Sequence, residues 1–192
     1  DILKLGAGCH HLADRLHNCR TIEFMPDHKR DKILSETMFV FIPLAHRLGL
    51  YGVKSEMEDI WLRYKEPEAF NSITEQVNRK IIDKDKEINE FITPIENALK
   101  SAGFRFEIKK RVKTPYSIWN KMNTKGVTLE QIYDLYAVRI IFDKEYTKNH
   151  ETERDQCYHI FSIITGLYRY KADRMRDWVN YPKSNGYEAL HC

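Results

Sequence analysis

A chain of 192 residues that is 42% hydrophobic and 12% aromatic has enough apolar material to form a packed core, which predicts a globular, soluble protein. Its 31 basic and 28 acidic residues leave a net charge of +3, too small by itself to indicate nucleic-acid binding. No apolar run reaches the roughly 20 residues that cross a bilayer, and the N-terminus lacks the layout of a signal peptide, so we predict a cytoplasmic protein without membrane association.

The first seventy residues have the apolar periodicity of helices. Residues 33–48 place apolar side chains three and four positions apart, and Pro43 predicts a kink in that helix. A long helix is predicted over residues 71–102, ending at Gly103. The segment Thr93–Glu96 has the layout of a capping box and marks a candidate restart inside it.

The periodicity changes after Gly103, where apolar and polar residues alternate as in a half-buried strand. Thr114–Pro115 has the pattern of a helix start, and Gly126 that of its end. The apolar run at residues 137–142 predicts a strand buried on both faces, and residues 157–168 predict an amphipathic helix. The fold class predicted is therefore α+β, with a helical half followed by a mixed half around a central sheet.

The stretch "HLADRLHNCRT", His11 to Thr21, carries the first candidate site. Asp14 and Asn18 are four residues apart, so a helix presents both on one face. A metal hydrolase needs such an arrangement, but an exposed polar helix has the same spacing. The spacing alone does not decide between them.

Two basic segments form the second candidate site. Six basic residues and no acidic ones lie between Lys109 and Lys125, and five basic residues with two aspartates lie between Arg169 and Lys183. Together they predict an anion site, with a solvated basic face as the alternative. The loop "YPKSNGYEALH", Tyr181 to His191, ends the second segment, and turn chemistry explains its proline, asparagine and glycine but not Lys183 or Tyr187.

Several blocks make the chain resemble one known family. "LADRLHNCRT" followed by "PLAHRLGLYGVKSEMEDIWLRY", and then "RVKTPYSIWNKM", "IYDLYAVRIIF", "DRMRDWV" and "YPKSNGYEALH", occur in the order found in RelA/SpoT (p)ppGpp synthetase/hydrolases. The resemblance implies an all-helical remnant of an HD-type hydrolase domain (residues 1–70) and a connecting helix region (71–102). It further implies a mixed α/β, nucleotidyltransferase-like synthetase domain (103–192).

In the hydrolase domain, the resemblance implies that Asp14 is a Mn²⁺ ligand alongside two histidines and another aspartate, and that Asn18 and Arg20 lie near the nucleotide. A carboxylate suits Mn²⁺ as a ligand. A His-Asp pair is not found upstream, and a single carboxylate does not hold a catalytic metal. We therefore expect the chain by itself to lack hydrolase activity.

In the synthetase domain, the resemblance implies transfer of the β,γ-pyrophosphate of ATP to the 3′-hydroxyl of GDP or GTP. Asp134 is the expected catalytic carboxylate and Mg²⁺ ligand, because a divalent ion must bridge the phosphates of two polyanions. The other expected nucleotide-binding residues are Arg111, Lys113, Ser117 and Lys121 on the ATP side, Arg139, Arg174 and Arg176 in the middle, and Lys183, Asn185, Tyr187 and His191 around the acceptor.

Tyr187 is expected to stack on guanine, and Arg139, inside an apolar strand, is expected to need an anionic partner from the protein or the substrate. The family's downstream glutamate does not occur before Cys192, so we expect impaired synthesis by the chain alone. Two alternatives stay open, a non-catalytic guanine-nucleotide sensor and RNA binding through residues 109–125. Ribosome association through other domains of the parent protein also stays open.

Overall fold

The computed structural model describes residues 2–132, 134–143, 152–184 and 186–192, without the side chains of residues 2–9. The chain forms two compact units: the first unit contains residues 1–78 and 112–136, and the second unit contains residues 79–111 and 137–192. The structure is mostly helical with two small sheets, which confirms the α+β class. None of the helices among the described residues is long and apolar enough to span a membrane.

Seven α-helices are described: α1 (Ile2–Arg20), α2 (Asp27–Glu36), α3 (Ile42–Arg47), α4 (Tyr51–Lys65), α5 (Pro67–Ser101), α6 (Pro115–Lys125) and α7 (Glu153–Leu167). The described strands are β1 (Phe106–Val112), β2 (Tyr136–Phe142), β3 (Arg176–Asp177) and β4 (Leu190–His191). Short 3₁₀ turns lie at Ile22–Phe24, Leu129–Gln131 and Ala172–Arg174. The helical character predicted for the first seventy residues is confirmed.

The distortion predicted at Pro43 takes the form of a π-helical segment, Thr37–Phe41, between α2 and α3. Proline has no N–H, and its ring collides with the carbonyl of the residue four positions earlier. A π turn widens the helix just before Pro43 and so accommodates both effects. The predicted restart at Thr93–Glu96 is wrong, because α5 runs without a break through Pro94.

The core of the first unit is a cluster of buried side chains from α1 to α4. It contains Leu12, Leu16, Cys19, Ile22, Leu34, Ile42, Ala45, Met57 and Ile60. Helix α4 packs against α1, α3 and α6, so it lies at the centre of this unit. Ile118 fixes α6 in the same unit, since its side chain is fully buried.

Strands β1 and β2 form a two-stranded antiparallel sheet. The Asp143 N–H donates to the Arg105 carbonyl and the Lys113 N–H to the Leu135 carbonyl, at 3.1 and 2.9 Å, which places Lys109 opposite Arg139. One face of this sheet packs on α5 and α7 around Ile95, Leu99 and Ile160. That cluster is the core of the second unit.

The prediction that β2 is buried on both faces is wrong. Its residues alternate between half-buried and exposed, with Ala137, Arg139 and Ile141 on the exposed face. The predicted central sheet is also not observed among the described residues, because β3 and β4 form a separate two-stranded antiparallel sheet. The apolar run therefore reflects β-branched side chains on a strand with one covered face.

Candidate functional site

Two lysines form ion pairs with one carboxylate in the first unit. The Nζ atom of Lys113 lies 2.9 Å from Oδ2 of Asp134, and that of Lys121 lies 2.5 Å from Oδ1. All three side chains are partly open to solvent, with 27%, 26% and 47% of the surface of Lys113, Lys121 and Asp134 exposed. We call these three residues the lysine–aspartate cluster.

The cluster keeps Asp134 ionised. Partial burial raises the pKa of Asp134, but the hydrogen bonds and positive charges of Lys121 and Lys113 outweigh it, so the pKa lies well below the ordinary value of 3.8. The side chain is therefore an anion throughout the physiological pH range. An accessible carboxylate of this kind is the ligand type that Mg²⁺ accepts, since Mg²⁺ is held by one or two carboxylates together with substrate phosphates.

The local sequence explains why α6 forms and where it places Lys121. The Thr114 side chain accepts a hydrogen bond from the Ser117 N–H, Pro115 occupies the first helical position, and Gly126 ends the helix with a φ of 61°. These three features were all predicted from the sequence. Ser117 and Lys121 lie one turn apart on α6, which brings both to the same side.

The N-terminus of α6 is also capped by a residue from α4. Oδ1 of Asp59 accepts a hydrogen bond from the Tyr116 N–H at 2.9 Å. Burial raises the pKa of Asp59 to about 6, and the negative charge of Glu58 adds to the rise, while the Tyr116 N–H and Arg63 oppose it. Trp119 packs in a half-buried aromatic cluster with Trp61 and Tyr116 at centroid distances of 5.9 and 5.7 Å.

A second arrangement lies in the loop of the second unit. The Lys183 ammonium lies near the faces of two rings, 4.9 Å from the centroid of Trp178 and 5.2 Å from that of Tyr187. The Tyr187 hydroxyl is hydrogen bonded to Nε2 of His191 at 2.9 Å. Backbone bonds close the loop, with the Lys183 N–H bonded to the Tyr187 carbonyl and the Gly186 N–H bonded to the Lys183 carbonyl. The positive φ of Gly186, 76°, explains the glycine at that position.

His191 stands in a basic environment. Burial lowers its pKa, and the charges of Lys183 and Arg139 lower it further, so the ring is neutral at physiological pH.

The expectation of a buried Arg139 is wrong, since the residue lies on the exposed face of β2. Arg111 is likewise exposed on β1, so this face of the sheet carries Arg111, Arg139 and Lys109, with Glu107 paired to Lys109 at 3.1 Å.

Hydrogen bonds to Asp177 order the residues just before the loop. Asp177 accepts hydrogen bonds from the Tyr158 hydroxyl at 2.6 Å and from the backbone N–H of Asn180 at 2.9 Å. Arg174 is exposed, and Arg176 donates to the backbone carbonyls of Asp173 and Met175. Asn185, predicted beside the acceptor nucleotide, lies outside the described residues.

The residues predicted for the hydrolase lie at the end of α1. Asn18 donates to Asp14 at 3.3 Å, so the two share one helix face as predicted. Arg20 forms a two-pronged pair with Glu56 at 2.5 and 2.9 Å and lines a cavity of about 520 Å³ in the first unit. Among the described residues no group of three histidine, cysteine or acidic side chains surrounds Asp14 or any other point. The described donors therefore do not fit a Mn²⁺ ion.

Comparison with known proteins identifies the chain. Residues 110–192, which contain the lysine–aspartate cluster and the loop, match the sequence model described as a region found in RelA / SpoT proteins. The chain belongs to the RelA/SpoT family.

Relatives of this RelA/SpoT chain match along nearly all of its length. It is 35% identical over 181 residues to the guanosine-3′,5′-bis(diphosphate) 3′-pyrophosphohydrolase of Aquifex aeolicus, covering 94% of this chain and 25% of that protein. It is 33% and 32% identical over 180 residues to the GTP pyrophosphokinases of Photobacterium angustum and Myxococcus xanthus, covering 94% of this chain and 23% of each protein. The chain therefore spans about a quarter of the length of these curated relatives.

Sequence reasoning missed two residues that support the candidate site of this RelA/SpoT chain. Trp178 lies under the Lys183 ammonium, and its place in the "DRMRDWV" block next to a basic loop was the available signal. Asp59 caps α6 from a position 57 residues earlier in the chain. No local pattern connects Asp59 with α6, because their contact depends on how α4 packs.

Proposed function

We propose that the protein to which this chain belongs synthesises (p)ppGpp by moving the pyrophosphate of ATP to the 3′-hydroxyl of GDP or GTP. The observation that carries this proposal is the lysine–aspartate cluster, in which two ammonium groups and one ionised carboxylate converge. The ammonium groups can bind the oxygens of a polyphosphate, and the carboxylate can bind its divalent ion. The region of the family match and the names of the relatives support the same reaction.

The cluster suggests how the donor nucleotide binds. Phosphate oxygens replace the oxygens of Asp134 as partners of Lys113 and Lys121, because ammonium groups form charge-assisted hydrogen bonds with either anion. Asp134 is then available as the protein ligand of Mg²⁺, which when bound neutralises charge that develops on the phosphates. Ser117 adds a hydroxyl from the same helix, and we keep Arg111 as the proposed partner of the adenine ring.

The loop is the proposed acceptor site. Tyr187 offers a ring for stacking on guanine, and its bond to His191 fixes the orientation of that ring. Lys183 moves from the rings to phosphate when the nucleotide arrives, since an ammonium binds an anion more strongly than an aromatic face. Arg139, Arg174, Arg176 and Asn185 complete the proposed nucleotide-binding set.

The hydrolase assignment of Asp14, Asn18 and Arg20 is a separate proposal. It is supported by the A. aeolicus relative, whose name is that of a pyrophosphohydrolase. Because the described donors do not fit Mn²⁺, we derive no hydrolytic step from them. Residues 1–70, 71–102 and 103–192 remain the proposed hydrolase, connecting and synthetase regions.

The decisive experiment uses the full-length parent protein with radiolabelled ATP, GDP and Mg²⁺. Wild type should form ppGpp, and Asp134→Asn should lose transfer by at least about 100-fold, because the metal ligand is gone. The control is Asp31→Asn, which removes another exposed aspartate paired with a lysine, Lys65, at 2.6 Å. GDP binding without transfer by the wild type would instead support the alternative of a non-catalytic sensor.

A further inference from the structure

We propose that Asp59 is a positioning residue for synthesis, which fixes the start of α6 and thereby the reach of Lys121 toward ATP. The inference rests on the proposed function. Asp59 lies on α4, in the region assigned to the hydrolase, and does not belong to the lysine–aspartate cluster. Its contact with the cluster is indirect and passes through one helix of the first unit.

The hydrogen bond from Tyr116 identifies what Asp59 does to α6. The first N–H groups of a helix have no partner inside the helix. Pro115 has no N–H, so the Tyr116 N–H is the first donor of α6, and Asp59 accepts it at 2.9 Å. The next N–H, from Ser117, is bonded more weakly to Thr114 at 3.4 Å. Of these two hydrogen bonds, the one to Asp59 is the shorter, and Asp59 is the only one of the two acceptors that is a carboxylate.

Side-chain packing joins the same two helices. Trp61, two residues after Asp59, meets the ring of Tyr116 at a centroid distance of 6.1 Å and that of Trp119 at 5.9 Å. Ile118 anchors α6 in the core, while the hydrogen bond at the helix terminus and the aromatic contact along its side add restraints on its position and rotation. Loss of the hydrogen bond removes the restraint at the first turn of the helix.

The position of α6 matters because Lys121 works at the end of a long side chain. Lys121 lies four residues after Ser117, and its Nζ is already 2.5 Å from Asp134. Small displacements of a positioned group weaken its interaction steeply. A loose helix start would move Lys121 and Ser117 together, while Lys113, which precedes the helix, would be less affected.

Other charged groups surround Asp59. Glu58 and Arg63 neighbour it on α4, and Arg20, Glu23 and Glu56 share its cavity. The test therefore has to separate the acceptor atom of Asp59 from its charge. Asp59→Asn keeps an acceptor oxygen in place and loses the charge, Asp59→Glu keeps the charge and shifts the oxygens by one methylene group, and Asp59→Ala removes both.

The experiment measures the KM for ATP and for GDP in the full-length protein, and ATP affinity by calorimetry without GDP. We expect Asp59→Ala and Asp59→Glu to raise the KM and the Kd for ATP about tenfold, with the KM for GDP unchanged. Asp59→Asn should stay within about twofold of wild type, because its amide oxygen accepts the same N–H. Asp59→Glu keeps the test valid if the alanine variant fails to fold.

The control is Ile60→Val, a mild core change on the same helix, where Ile60 is 9% exposed. It should lower Tm without changing either KM. The proposal is overturned if Asp59→Glu leaves ATP affinity unchanged. It is also overturned if Ile60→Val lowers ATP affinity as much as Asp59→Glu does when the two variants lose the same amount of Tm. Because ATP binding is measured without turnover, a protein that binds ATP but transfers nothing would refute the proposed function and still test Asp59.

Discussion

Lys121 and Asp134 lie 13 residues apart in the chain, and their Nζ and Oδ1 atoms are 2.5 Å apart. The pair joins the middle of α6 to a residue two positions before the start of β2. Together with Lys113, it leaves two positive charges compensated by one negative charge. The lysine–aspartate cluster therefore carries a net positive charge.

Replacement of either lysine should weaken the donor nucleotide selectively. Lys121→Met and Lys113→Met should each lower ATP affinity about tenfold, since a charged hydrogen bond to phosphate contributes about 1.5 kcal/mol. Calorimetric titration with ATP measures this, and a GDP titration should be unchanged. Lys65→Met, which breaks another Lys–Asp pair, is the matched control. Equal ATP affinity in all three variants would contradict the proposed role of Lys113 and Lys121 in binding ATP.

The ring of Tyr187 should matter for the acceptor and not for ATP. Tyr187→Ala should weaken GDP binding at least about tenfold, because stacking contributes roughly 1–3 kcal/mol per base. Tyr187→Phe keeps the ring and should stay within about threefold, although the bond to His191 is lost. Calorimetry with GDP measures both variants. Tyr181→Ala, which removes a 75% exposed ring from the same loop, should have no effect.

Asp59 should make stability depend on pH between about 4 and 6. Its pKa rises from 3.8 to about 6 on folding, so the protonated form is favoured in the native state. The stability it contributes is fully present below pH 3.8 and lost as the pH rises through about 6. Asp59→Asn stays neutral, so at pH 7 it should be more stable than wild type by about 1–2 kcal/mol, allowing for partial exposure.

Denaturant unfolding at several pH values measures this difference. The gap between Asp59→Asn and wild type should shrink toward zero near pH 4. Asp31→Asn, which makes the same substitution at a side chain that is 72% exposed, is the matched control. A gap that stays constant with pH would contradict the raised pKa of Asp59.

Two glycines of the first unit should respond in opposite ways to alanine. Gly126 has a φ of 61° at the end of α6, so Gly126→Ala should cost about 1 kcal/mol of stability. Gly52 lies within α4 with no atom near the position of an added Cβ, so Gly52→Ala should stabilise by about 0.5–1 kcal/mol. Thermal unfolding of the two variants measures the contrast. A stabilising Gly126→Ala would show that the left-handed turn is not required there.

The amino-acid sequence by itself determined the local structure around the candidate site. The start of α6 at Thr114–Pro115, its end at Gly126, and the long helix before Gly103 follow from chain chemistry that acts over a few residues. The family blocks also predict Asp134, Lys113 and Lys121 as site residues. Such features are predictable because the interacting groups are neighbours in the chain.

Only the tertiary structure decided which side of β2 is covered and which helix caps α6. An apolar run such as residues 137–142 has the same composition whether one face or two are packed, so burial depends on what lies above the sheet. Asp59 and Tyr116 are 57 residues apart, and no periodicity connects them. Contacts of this kind arise from the packing of whole elements, which the spacing of residues along the chain does not encode.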